Sequence, residues 1–291
     1  MAATKGHRTY PLYKYDPSLA AAVIFCILFL LTTILHTYQM WRKRTWFLIP
    51  LVIGGYFEFV GYACRSASAT QPHGEYTLMP FVVQNSYILL APALFAATIY
   101  MTLGRIVNLT EGNKHSIVSA RKLTWVFLLG DIFCFALQGG GGSLMAVGMR
   151  SDGQSSLPQI GNYLALSGII LQAFWFVFFI ICAALFHFRM RAYPSTKVVT
   201  NHAIRWQQYL GSLYLLSGLV LVRSVFRLVE FAQGHDGHLQ SVESLFYVFD
   251  SVPMLGLMVW MNWQHPGEIT LLLRQLQGQD DNVETPLSAL T

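Results

Sequence analysis

Hydrophobic positions fall into seven long blocks: Ser18–Met40, Trp46–Cys64, Met79–Ile106, Leu123–Met145, Ile160–Phe188, Gln207–Arg227 and Val242–Trp263. Each has about the 20 residues that a helix needs to cross hydrocarbon. A lipid-facing barrel strand alternates apolar and polar positions, and these blocks do not, which argues against a barrel. A non-barrel span must be helical, because only a helix satisfies its own backbone hydrogen bonds in lipid. The pattern predicts an all-α polytopic membrane protein with seven transmembrane helices. Residues 1–17 form a polar N-terminal tail, 18–263 the membrane domain and 264–291 the C-terminal tail. That tail is expected to be largely disordered beyond a short amphipathic piece at Ile269–Leu276.

Composition narrows the picture. Hydrophobic residues make up 54% of the 291 and charged ones 11%, against about 25% charged in a soluble domain. A soluble enzyme and a disordered chain are both excluded. The first block is too long for a signal-peptide core and has no small-residue cleavage site after it, so it reads as an anchor. The formal charge of +5 does not imply nucleic acid. Twelve Lys and Arg lie in the odd-numbered loops and the C-tail, against five in the N-tail and the even-numbered loops. That bias predicts the N-terminus outside and the C-terminus in the cytoplasm. Trp41, Trp46, Trp125, Trp206, Trp260 and Trp263 then fall near the cytoplasmic interface, as an aromatic belt does. The cysteines Cys26, Cys64, Cys134 and Cys182 all sit in or beside apolar blocks, which predicts no disulfide framework. There is no phosphate-binding loop, no G-x-S-x-G and no H-E-x-x-H, so neither an ATP motor nor a hydrolase is expected.

A few charges interrupt the apolar blocks: Glu58, Asp131, Arg223, Arg227, Glu230 and Asp250. In hydrocarbon such groups cost several kcal/mol unless paired or hydrated, so they turn inward. Helical spacing puts them on stripes. Gly54, Glu58, Gly61 and Arg65 share one face; Asp131, Phe135, Gln138 and Gly142 share another. Arg223, Arg227 and Glu230 form a third, and Glu243, Tyr247, Asp250 and Met254 a fourth. Gln84, Asn85 and Gln172 add polarity in the third and fifth blocks, and Tyr62 and Phe226 add aromatic walls. These residues predict one polar, ligand-binding cavity in the outer half of the bundle, with Asp131 deeper. Fully ionised, the six charges sum to −2 and favour a cationic ligand. The same charges would also serve as plain interhelical pairs.

Other features leave alternatives open. The run Gly139–Gly142 permits close helix packing, a helix end or an unwound segment. Pro92 and Pro253 each free a carbonyl and can kink a helix. His36, His187 and His265 lie near cytoplasmic helix ends and are candidate haem or metal ligands; otherwise no cofactor is expected. His235-x-x-His238 is a weaker metal motif.

Several stretches carry a family resemblance. They are Gly54–Tyr62, Ala91-Pro92 through Leu103-Gly104-Arg105, Asp131 with Gln138–Gly141, Arg223–Glu230, and Glu243 through His265-Pro266-Gly267. Together they resemble the fungal RTA-like family, also called lipid-translocating exporters, over roughly Tyr15 to Gly267. The resemblance implies a seven-helix membrane protein, often of the plasma membrane. It also implies export or flipping of sphingoid long-chain bases, resistance to aminosterols and drugs, or haem and protoporphyrin traffic. An exporter or flippase of cationic amphiphiles is the leading expectation, with membrane lipids as partners. Haem or porphyrin transport is one alternative and a lipid sensor or receptor another. A G-protein-coupled receptor fits less well, since the third block ends Leu103-Gly104-Arg105 and the seventh lacks Asn-Pro-x-x-Tyr.

Overall fold

The computed structural model describes residues 13, 15–72, 76–116, 119–150, 156–200, 205–233, 242–273 and 275. Within them seven helical spans are long and apolar enough to cross a membrane. The elements are α1 (Leu19–Lys43), α2 (Ile49–Ala69), α3 (Leu78–Leu109), α4 (Ala120–Arg150), α5 (Leu157–Ala192), a short α6 (Thr196–Thr200), α7 (Trp206–Ala232), α8 (Glu243–Phe246) and α9 (Val252–Trp263). A π-helical stretch, Tyr247–Ser251, joins α8 to α9 and completes the seventh span. His235, His238, the first twelve residues and the tail from 276 lie outside the described residues.

Local chemistry accounts for the helix ends. The Ser18 hydroxyl accepts from the Ala21 N–H and caps α1. Arg44 adopts φ 51° and ends that helix, with Arg42 and Lys43 in the last turn, where the helix dipole favours cations. Pro50 and Pro158 stand in the first turns of α2 and α5, where a missing N–H costs nothing.

α3 is the centre of the bundle: 72% of its apolar window is buried, against 22% for α1. α2, α4 and α7 pack on α3; α5 pairs closely with α4 and also meets α7, while α9 meets α1 and α7. Ile24, Leu31, Phe133, Phe174 and Phe188 are exposed. Such a surface is untenable in water and natural in lipid. The four cysteines are free.

The structure resolves the open backbone questions. Gly139–Gly142 is continuous helix within α4. A Cβ at Gly141 would lie 2.5 Å from the Gly161 carbonyl and the Ala165 nitrogen, so this glycine permits the α4–α5 approach. Pro92 sits inside an unbroken α3. Pro253 follows the π-helical stretch, in the first turn of α9. Trp206 opens α7 with 6% exposure and packs against His187, so it faces the bundle. In the stretch expected to be amphipathic, Ile269–Leu276, the described residues up to 273 are helical and Ile269 joins the core.

Candidate functional site

The centre of the site is Asp250. The π-helical stretch adds a residue to the turn, so the Val252 N–H bonds back to the Tyr247 carbonyl. This register aims Asp250 at α7 and Ser251 at α2. Arg227 holds Asp250 with two parallel bonds, Nε to Oδ1 at 2.9 Å and Nη2 to Oδ2 at 3.0 Å. Its Nη1 reaches Glu230 at 3.0 Å, and its guanidinium lies over Phe246. Arg223 Nε is 2.8 Å from Asp250 Oδ1, off the line of a hydrogen bond, so this contact is electrostatic. The guanidinium commits its directed bond elsewhere: Nη2 donates to the Ile88 carbonyl at 2.6 Å. That carbonyl is free because Pro92, four residues on, has no N–H to offer it. The proline therefore supplies an acceptor that ties α7 to α3.

Glu58 lies beside this network, 1% exposed. Arg223, Asp250 and Arg227 are the charges near enough to act on it. Neither carboxyl oxygen has a hydrogen-bond partner. Tyr62, one turn along α2, shares a hydrogen bond with Ser251, and its ring packs against Phe25 and Phe29 of α1. Glu58 is thus the carboxyl of this group that the protein does not itself satisfy.

A second polar group lies towards the N-terminal end. Arg65 Nη2 meets Glu243 at 2.7 Å and the Tyr15 hydroxyl at 2.8 Å, and Nε donates to the Tyr247 hydroxyl at 2.9 Å. The guanidinium faces the Phe246 ring at 4.6 Å. Arg65 and Glu243 stood on the predicted stripes but not among the candidate residues. Their lengthwise match, one at the end of each stripe, was the available signal.

The remaining candidates do not join the cluster. Asp131 accepts from Tyr100 at 2.9 Å, inside an aromatic nest of Phe127, Phe176 and Phe179. Gln138 donates to Gln172 at 2.8 Å across the α4–α5 seam. Gln84 accepts from Tyr13 at 2.8 Å, while Asn85 is exposed, since adjacent helical residues point about 100° apart. Phe135 is half-buried. Phe226 is buried and stacks on Phe249.

His36 and His265 lie near each other, and His187 lies apart from them. His36 Nε2 faces the Met258 carbonyl at 2.9 Å. A carbonyl only accepts, so Nε2 carries the proton and the lone pair is on the buried Nδ1. His265 Nδ1 accepts from the Gly267 N–H at 2.9 Å, which puts its proton on Nε2. His187 lies elsewhere, against Tyr214. Among the described residues no three His, Cys, Asp or Glu form a metal-binding group. With the proton on Nε2, neither His36 nor His265 presents an Nε2 lone pair to haem iron.

A crevice opens further along the bundle, lined by Ile99, Thr102, Leu213, Leu216 and Ile269, with Ser212 bonded to Gln264 beside it. Leu216 precedes Arg223 by seven residues of α7, about 10 Å. Among the described residues this crevice lies towards the C-terminal end, and ion pairs occupy the Asp250 cluster.

Comparison with known proteins gives a consistent picture. The family described as RTA1 like protein matches residues 51–271. Protein RTM1 of Saccharomyces cerevisiae is 34% identical, covering 84% of this chain and 88% of its own length. Protoporphyrin uptake protein 1 of Saccharomyces cerevisiae is 32% identical, over 86% of this chain and 90% of its own. Sphingoid long-chain base transporter RSB1 of the same species is 24% identical, over 86% and 72%. No solved structure matches.

Proposed function

The chain belongs to the RTA1-like family of seven-helix membrane proteins, and from that premise we propose that it transports an acidic, flat amphiphile of the protoporphyrin class. The observation that carries this reading is the likeness to the protoporphyrin uptake protein, 32% identical over most of both chains. The Asp250 cluster supports it chemically. A porphyrin carries two carboxylates, and Arg223 and Arg227 stand one turn apart on α7. Arg223 holds Asp250 only by an electrostatic contact, so it is the arginine an incoming carboxylate competes for. Exchange of one carboxylate for another keeps the guanidinium paired, which avoids leaving a buried cation alone. Tyr62 and Phe246 supply ring surface beside the arginines. The N-terminus lies outside, the C-terminus in the cytoplasm and the site nearer the outer face, as the distribution of Lys and Arg supports. The plasma membrane is the proposed location. The role is transport rather than catalysis.

An amine-bearing lipid of the sphingoid class is the second reading, favoured by the unsatisfied carboxyl of Glu58. Purified protein titrated with protoporphyrin IX and with haemin separates the two. The first reading expects saturable binding of both at similar affinity, since the proposed site is built on arginines and not on histidine, and about tenfold weaker binding in Arg223→Gln. Absence of porphyrin binding, together with flux of a labelled sphingoid base that Glu58→Gln abolishes, would transfer the assignment to the second reading.

A further inference from the structure

The segment before α1 crosses the N-terminal end of the bundle and bonds to several helices at once. Tyr13 is 9% exposed; its hydroxyl reaches Gln84 of α3, and its ring packs edge-on against Tyr76 and Phe81. The Tyr15 hydroxyl meets Arg65 of α2 at 2.8 Å. Asp16 accepts from Tyr76 at 2.8 Å. The Ser18 N–H points at both oxygens of Glu243, at 3.0 and 2.9 Å. A tail of this polarity needs no such anchoring in order to reach water. Here its polar groups are spent on joining α2, α3 and α8.

Beneath the strap the polar groups form a column. Arg65 and Glu243 make the top layer, with Tyr247 and Phe246 flat against the guanidinium. Tyr62 and Ser251 come next, then Asp250 with Arg227 and Arg223. Along this column the described residues Tyr13 and Tyr15–Ser18 cover the end under the strap, and the crevice lies towards the opposite end. The contact at that end is an ion pair between α2 and α8, with the Arg65 side chain 2% and the Glu243 side chain 17% exposed, so water reaches it on the Glu243 side. Glu243 can therefore exchange its protein partners for water, while the buried Arg65 keeps the Tyr247 hydroxyl as a partner. Asp250, 1% exposed and shared by two arginines, has no such route.

We propose that Tyr13 and Tyr15–Ser18, with Arg65 and Glu243, form a gate that closes the N-terminal end of the ligand path. The proposal rests on the transport reading above. Opening consists of parting Arg65 from Glu243 and lifting the strap, which exposes the Tyr62–Ser251 layer and then the Asp250 cluster. Closure returns Glu243 to the Ser18 N–H and Arg65 to Tyr15, so that the tail and the ion pair open and shut together.

A reporter cysteine tests the gate without any transported ligand. Ser251→Cys, in a chain whose four native cysteines are replaced by serine, places a thiol just beneath the gate at a site 1% exposed. The protein in nanodiscs is treated with a membrane-impermeant cationic methanethiosulfonate. Glu243→Gln is expected to raise the modification rate about tenfold, because it removes the charged partner of both Arg65 and Ser18. Tyr15→Phe, which deletes a single hydroxyl and leaves the fold intact, raises it by a smaller factor. Gln264→Ala, beside the crevice at the other end, leaves it unchanged. Equal rates in the parent, Glu243→Gln and Tyr15→Phe would overturn the gate, and so would an equal rise in Gln264→Ala. A gate confirmed here in a protein that binds no porphyrin would retire the ligand assignment and keep the gate.

Discussion

Two regions of this bundle bury polar groups in different ways. Where α2, α7 and the seventh span meet, the groups are charged and cross-linked: Asp250 holds two arginines, Arg227 also holds Glu230, and Arg65 holds Glu243. Where α3, α4 and α5 meet, the bonds shown are single and local, Tyr100 to Asp131 and Gln138 to Gln172, in a seam closed by glycine. The first region stores electrostatic energy that a ligand or a movement can redirect. The second fixes two helices by shape. A region of exchangeable ion pairs set on a rigid neighbour is what a moving part needs.

The largest test of that difference falls on Asp250. Asp250→Asn leaves Arg223 and Arg227 without their shared anion at sites where Arg223 is 5% exposed. Removing one partner of a buried pair costs about 3–5 kcal/mol. The expected outcome in detergent is a sharp fall in thermal midpoint, followed by size-exclusion chromatography, or no recoverable monodisperse protein. A variant that melts with the parent would show that the arginines find other partners, and the contrast between the two regions would then fail.

The ends of the comparison were not equally legible in the sequence. The seven spans followed from block length alone, because lipid allows few alternatives. The stripes also followed, since Arg223, Arg227 and Asp250 do share a cluster with Glu58. What spacing cannot supply is how each helix is rotated against its neighbours. Asp131 was therefore grouped with charges that its own helix turns it away from, and Arg65 was read as part of a stripe rather than as the partner of Glu243. Pro92 was legible as a residue that frees a carbonyl. That the carbonyl is Ile88's follows from the four-residue rule, but that Arg223 takes it depends on tertiary packing. The π-helical register that aims Asp250 has no marker in composition, although Pro253 stands just beyond it.

The α4–α5 seam offers the intermediate test. Gly141→Val would put a branched side chain 2.5 Å from backbone atoms of α5, where nothing flexible can yield. Overpacking of this kind costs about 1–3 kcal/mol. Gly142→Val is the matched control, since a Cβ there meets nothing within 4 Å. The expected result is a lowered thermal midpoint for Gly141→Val and little change for Gly142→Val. Equal effects would mean that helix propensity, not close approach, explains the glycine run.

The smallest effect is expected at Asp131, and it probes the comparison most finely because this residue looks in the sequence like Asp250. Its Oδ2 accepts from Tyr100 and its Oδ1 has no hydrogen-bond partner. Asp131→Asn keeps a carbonyl oxygen for the Tyr100 hydroxyl and creates no orphaned cation, so the change is set by one hydrogen bond. Such bonds between membrane helices average about 0.6 kcal/mol. Tyr100→Phe removes the donor instead and leaves both carboxyl oxygens unsatisfied, which is the costlier change, about 1–3 kcal/mol. The thermal midpoints should therefore rank parent and Asp131→Asn together, Tyr100→Phe lower and Asp250→Asn lowest. If Asp131→Asn instead falls as far as Asp250→Asn, the bundle depends on Asp131 as it does on Asp250, and the division into a cross-linked and a locally bonded region is wrong.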